Sequence, residues 1–240
     1  MNIISNARLI RRNARIAQYS GLAGMIILIA GMYVLFRYPG QFGIIWGTVL
    51  AGFILSQVGI YFTNRWGRNP RPDQNLNNAL KGLSTDYSLY HYVTPTSHLL
   101  VGPAGVWVLL PRYQRGTITF EKNRFKQKGG GFLLNYLKIF GQEGLGRPEL
   151  EVEAEKEAVT KFLKKHIPED KIPPIQAALV FTDERAKLEN LEEAPVPTLP
   201  KSKLKEFIRK SAKTKSFSMD RVNEINHVIG EYLPKGAEAS

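Results

Sequence analysis

The sequence predicts an N-terminal transmembrane helical hairpin followed by a mixed α/β domain, and three observations predict it. Two uncharged, strongly apolar stretches, Tyr19–Phe36 and Phe42–Phe62, lie back to back behind an arginine-rich start. All 21 acidic residues of the 240-residue chain come after them. Beyond residue 74 the pattern changes to short apolar runs cut by turn residues and to segments of helical spacing, as layered strands and helices require.

A hydrocarbon core of about 30 Å takes roughly 20 apolar residues in helical form, and a helix satisfies its own backbone there. The first run is longer than the core of a signal peptide, and no small-x-small pattern follows it. A second apolar run begins at once, so the pair is expected to be an uncleaved anchor. Pro39-Gly40 between the runs is good turn chemistry. Arg8, Arg11, Arg12 and Arg15 precede the hairpin, Arg65, Arg68 and Arg71 follow it, and Arg37 alone lies in the loop. The positive-inside rule then expects both termini, and so the large domain, in the cytoplasm. Tyr19, Tyr38, Tyr61 and Trp66 suit the interface. The spans carry no charge, which argues against a transport path. Gly43, Gly47 and Ala51 recur every four residues and offer a smooth packing face, for closing the hairpin or for self-association.

The expected organisation is a basic N-terminus (1–18), the hairpin (19–63), a basic linker (64–74), the α/β domain (75–233) and a disordered tail (234–240). After residue 63 there are 28 basic against 21 acidic residues, and this surplus favours anionic partners, nucleic acid or anionic lipid, without choosing between them. The chain has no cysteine, which excludes disulfides, thiolate catalysis and cysteine-bound metals.

Within the domain, Leu76, Leu80 and Leu83 have helical spacing over 75–83. Strands are expected at Tyr87–Val93, Ser97–Val101, Gly105–Leu110 and Thr117–Glu121, their close spacing suggesting an antiparallel meander. Leu150, Ala154, Ala158, Phe162 and His166 mark a helix over Glu149–His166. A buried strand at Ile175–Phe181, a short extended piece at Val196–Leu199, and helices at Lys201–Lys210 and Met219–Leu233 complete the order.

The segment Ser97–Gly116, SHLLVGPAGVWVLLPRYQRG, resembles the central signature of the nuclease-related domain (NERD) family, part of the restriction-endonuclease-like superfamily. His98 to Gly102, Pro103, Gly105, the aliphatic run Val106–Leu109 and Gly116 match in order. Pro148 with Glu151 is similar to the family's Pro-x-x-Gln at a helix start, and Gln176–Phe181 to its late strand. The resemblance implies a restriction-endonuclease-like mixed α/β domain. It also implies a divalent metal held by an Asp and a Glu, with a Lys beside the attacking water. Those three positions are here Ser97, Leu110 and Arg112. Leucine cannot ligate Mg²⁺, and arginine stays protonated. A catalytically degenerate member, with no metal and no cofactor, is expected. Hydrolysis would need acids from elsewhere, such as Asp86, Glu121 or Asp183.

Arg112, Arg115, Lys122, Arg124, Lys126 and Lys128 fall together with a single acid, Glu121, and with Tyr113 and Phe125 interleaved. This reads either as a footprint for a phosphodiester backbone with stacking surfaces or as a solvated loop. The apolar run Phe132–Phe140 behind it suits core packing or an anionic leaflet. His91, His98, His166 and His227 lack metal-ligand spacing and are expected in packing or surface roles. Gly102-Pro103-Ala104-Gly105 joins two strands and is expected to be a hairpin turn, not a phosphate loop. The leading expectation is a membrane-anchored, non-catalytic domain binding nucleic acid or another anionic partner. An active nuclease with relocated ligands and a protein-interaction scaffold are the alternatives.

Overall fold

The computed structural model describes residues 1–129, 145–214 and 216–239 and divides the chain into two compact units. One is the α/β unit, Met1–Ala7 with the described residues from Pro72 onward; the other is helical and takes in Arg8–Arg71. The expectations on Phe132–Phe140 lie outside the described residues.

The α/β unit is built on a seven-stranded mixed sheet. Strands β2 (Ser88–His91), β3 (His98–Gly102) and β4 (Gly105–Arg112) form the antiparallel meander, with Tyr90 opposite Leu99 and Leu99 opposite Val108. The β3–β4 turn is the expected hairpin: Gly105 adopts φ +97°, and a side chain at Gly102 would stand 2.3 Å from the Tyr87 ring. Strand β7 (Gln176–Phe181) adds parallel to β4, and β9 (Thr198–Pro200) parallel to β7.

Period-two alternation sorts the apolar side chains onto two faces. Leu99, Val108, Leu110 and Leu179 pack on one side against Val152, Val159 and Leu163 of α4 (Pro148–Lys164) and Val222 and Ile225 of α6 (Met219–Glu231). Leu89, Leu100, Leu109 and Val180 pack on the other, against Leu76 and Leu80 of α3 (Pro72–Leu80) and Leu204 and Ile208 of α5 (Lys201–Thr214). Helices thus cover both faces, which explains continuous apolar strands such as Leu99–Val101. Each fully buried Leu or Ile contributes about 1.5–3 kcal/mol.

The structure departs from the sequence reading at several places in this unit. Asn2–Asn6, read as part of a basic N-terminus, is strand β1, parallel to β2. The tail read as disordered contains β10 (Ala237–Ala239), antiparallel to β1. The expected fourth meander strand, β5 (Gly116–Glu121), leaves the main sheet for a separate one of order β6-β5-β8, where β6 is Arg124–Lys128 and β8 is Ala186–Leu188. The helix expected over 75–83 begins at Pro72, a residue preadapted to a first helical turn, so Asp73 is inside that turn and buried.

In the helical unit, α1 (Ala7–Arg37, 31 residues) and α2 (Phe42–Phe62, 21 residues) are both long and apolar enough to cross a membrane. Only 11% of the apolar window of each is buried, unlike a core helix of a soluble protein. They meet through glycines. A Cβ on Gly24 would stand 3.2 Å from the Gly52 carbonyl oxygen, one on Gly52 2.5 Å from Leu28 Cγ, and one on Gly59 2.9 Å from Gly21 Cα. The face of α2 turned to α1 is therefore Thr48, Gly52, Ser56 and Gly59. Gly43 and Gly47 have open space where a Cβ would go, and Ala51 is exposed. The expected stripe Gly43, Gly47, Ala51 lies one residue, about 100°, around the helix from the face that packs.

Candidate functional site

The β3–β4 register is the starting point. Leu99 faces Val108, so continuing the pairing sets Ser97 opposite Leu110. Two carboxylates at these positions would be neighbours, as joint metal ligation requires, but Leu110 has no donor atom and Ser97 offers only a neutral hydroxyl. Ser97 is exposed, and Leu110 is 3% exposed within the core. Arg112, at the end of β4, sends Nη2 to Glu151 Oε2 at 2.5 Å, in the first turn of α4. Its carbonyl accepts from Thr182 N at 2.7 Å and Thr182 Oγ1 at 3.1 Å. Arg112 thus ties the ends of β4 and β7 to α4.

The three acids that might have restored a metal site are not brought together. Asp86 lies ahead of β2 and accepts from Ser84 Oγ at 2.9 Å. Asp183 and Glu121 are bound to cations at opposite ends of β5. Asp183 accepts from Arg115 Nε at 2.9 Å and from the main chain and guanidinium of Arg185 at 3.0 and 2.9 Å. The Arg185 bonds, with Arg115 beside them, hold its carboxyl well below the ordinary range. Glu121 accepts from Lys126 and Lys128 at 3.0 and 3.1 Å and from Thr119, which brings its carboxyl down to about 2.

The basic stretch is a β-hairpin and not a loop. Lys122 and Asn123, at φ 51° and 60°, form its two-residue turn, of the kind whose twist matches paired strands. Alternation then does the sorting. Arg124, Lys126 and Lys128 share one face with their partners Glu121, Thr119 and Thr117, and Lys187 of β8 extends that row beside Thr117. Phe125 turns the other way, into the core at 7% exposure, so it is not a stacking surface for bases. Of the six candidate cations, Arg112, Arg115, Lys126 and Lys128 hold acids. Lys122 and Arg124, both exposed, have none among the described residues. Arg185 was not singled out by the sequence, and the pairing of Glu151 with Arg112 and of Asp183 with Arg115 joins residues 39 and 68 positions apart.

His91 and His98 are buried together, with their Nδ1 atoms 2.7 Å apart. His91 Nε2 donates to Asn77 Oδ1 at 2.9 Å, so His91 Nδ1 accepts and His98 Nδ1 donates. Burial, then the neighbouring His91, pushes His98 well below its ordinary pKa. His166 stacks 4.0 Å from the Tyr232 ring, and His227 is exposed beside Glu231. All four occupy packing or surface positions. Comparison of the chain with protein-family models, with curated proteins and with solved structures gives no match in any of the three.

Proposed function

We propose that this chain is a membrane-anchored protein of a prokaryotic inner membrane whose cytoplasmic, nuclease-related domain binds nucleic acid or another anionic partner without cleaving it. The observation that carries the binding reading is the β5–β6 register, which gathers Arg124, Lys126, Lys128 and Lys187 on one exposed face. Burial of Leu110 in the core, where the resemblance requires a carboxylate, supports the absence of cleavage. The topology supports the anchorage. Strand β1 precedes α1, and α3 follows α2, yet β1 and α3 belong to the same folded unit. Any crossings made between them must therefore come in an even number, as the flanking arginines also require.

The test uses the full chain in neutral detergent with a labelled oligonucleotide, followed by fluorescence anisotropy. Binding is expected to fall steeply with salt and to weaken when Lys122, Arg124, Lys126 and Lys128 become Glu. Absence of binding at low salt to both oligonucleotide and anionic vesicles would overturn the reading in favour of a scaffold. Mg²⁺- or Mn²⁺-dependent cleavage lost in Asp183→Asn would instead establish an active nuclease.

A further inference from the structure

A second basic surface lies on α5, in the layer across the main sheet from the β5–β6 hairpin. Lys201–Thr214 carries six cations and one acid, Glu206. Leu204 and Ile208 are fully buried against α3, so at 100° per residue Lys203, Lys210 and Lys213 fall on the opposite, exposed side around Glu206, with Arg209 at its edge. Lys201 pairs with Glu184 at 3.3 Å. Lys205 and Arg209 donate to the carbonyls of Lys81 and Gly82 at 3.2 and 2.7 Å, just past the end of α3, and keep their charge. Lys203, Lys210 and Lys213 have no acidic partner among the described residues. This differs from the hairpin, where Glu121 holds two of the four cations, Lys126 and Lys128.

We infer that the α5 face docks on the anionic headgroups of a lipid leaflet. This rests on the membrane anchorage proposed above but not on the β5–β6 face. Five of the six cations are lysines, compact charges on flexible stems that suit a laterally mobile array of phosphates. No large apolar or aromatic side chain is exposed on α5, so it offers no platform for bases and nothing to insert below the headgroups. The contact is electrostatic, reversible and sensitive to salt. The chain itself favours a bilayer as occupant. Helix α3, on which α5 packs, begins ten residues after α2 ends, so a short connection joins this layer to the apolar helices. Such a tether raises the effective concentration of the leaflet.

The chain has no cysteine, so Ser202→Cys, at an exposed α5 position, gives a single labelling site. The full chain carrying a fluorophore there is reconstituted into vesicles of phosphatidylcholine alone or with phosphatidylglycerol, each containing a headgroup quencher. Quenching is expected only with the anionic lipid and to fade as salt rises. Each cation near an anionic leaflet contributes a factor of about five. Replacing Lys203, Lys210 and Lys213 with Gln should lower the docked-to-undocked ratio on the order of a hundredfold. Circular dichroism checks that the triple variant remains folded. Equal quenching on both vesicles, or full quenching by the triple variant, would overturn the inference. So would duplex DNA binding lost in the triple variant without any response to lipid. Flotation of the chain with vesicles of either composition reads the anchorage separately: flotation without anionic quenching defeats the α5 contact alone, and failure to float defeats both.

Discussion

Large and small side chains exchange places between the two units. In the α/β unit Leu100, Leu179 and Leu204 are fully buried. In the helical unit Leu22, Ile26 and Trp46 are 53%, 57% and 71% exposed, whereas Gly24, Gly31, Gly52 and Gly59 are buried. Water drives the first arrangement, because removing apolar area from it is the main gain. A helix pair in lipid would have little to gain that way, since lipid is as apolar as leucine. Helices in lipid associate through close backbone approach, which small residues permit. The membrane anchorage proposed above would give the glycine seam and the apolar exterior one cause, a change of solvent along the chain.

The largest expected effect tests that contrast directly. Leu179→Ala should cost about 2–5 kcal/mol by cavity formation, and Leu22→Ala less than about 0.5 kcal/mol, in unfolding of the full chain in detergent. Similar costs at both sites would erase the distinction between the units. Gly52→Leu comes next. Its side chain must displace Leu28 and Gly24, and overpacking of that kind costs about 1–3 kcal/mol. Gly47→Leu enters open space and should leave α1–α2 pairing unchanged. Energy transfer between labels on the two helices would read both variants, and the reverse order would move the seam back to the stripe read from sequence.

Within the α/β unit, Asp183→Ala removes the acceptor shared by Arg115 and Arg185 and should lower stability by about 1–3 kcal/mol. Thermal unfolding of this variant checks it. The pH response has a definite sign. Buried His98 resists protonation until well below 6.5, whereas in the unfolded chain it takes a proton near about 6.5. The unfolded state then binds more protons as pH falls, so stability should drop below about pH 6.5, by at most about 1.4 kcal/mol per pH unit. A melting temperature that rises from pH 7 to pH 5 would contradict this. The smallest effect belongs to Glu121→Gln, which frees Lys126 and Lys128 for external anions. Anion affinity should rise slightly and the salt slope steepen by about one; an unchanged slope would mean that this face does not carry the binding.

Legibility followed the range of the interactions involved. The apolar runs of β3, β4 and β7 and the extents of α4 to α6 follow local patterns, and the sequence places them within a few residues. The core face of α4, however, is Val152, Val159 and Leu163, whereas Leu150 of the stripe read from spacing is exposed. Strand β6 was visible in principle, since Arg124-Phe125-Lys126-Gln127-Lys128 alternates charge with a buried ring, but the charge density made it read as a loop. Strand β1 was not visible. Five residues acquire strand structure only through β2, more than 80 positions away, and β10, at the far end of the chain. Helix α2 presents two small-residue stripes one position apart, and nothing within α2 ranks them. The surface of α1 does.

Residue identity and order along the chain determined that it has two segments able to span a bilayer, a basic surplus and no thiol chemistry. Tertiary structure decided which cations keep a free charge, which glycines form the helix seam, and that the first strand belongs to the same sheet as the last. Each of those depends on partners brought together across long stretches of chain, and one-dimensional spacing carries no record of them.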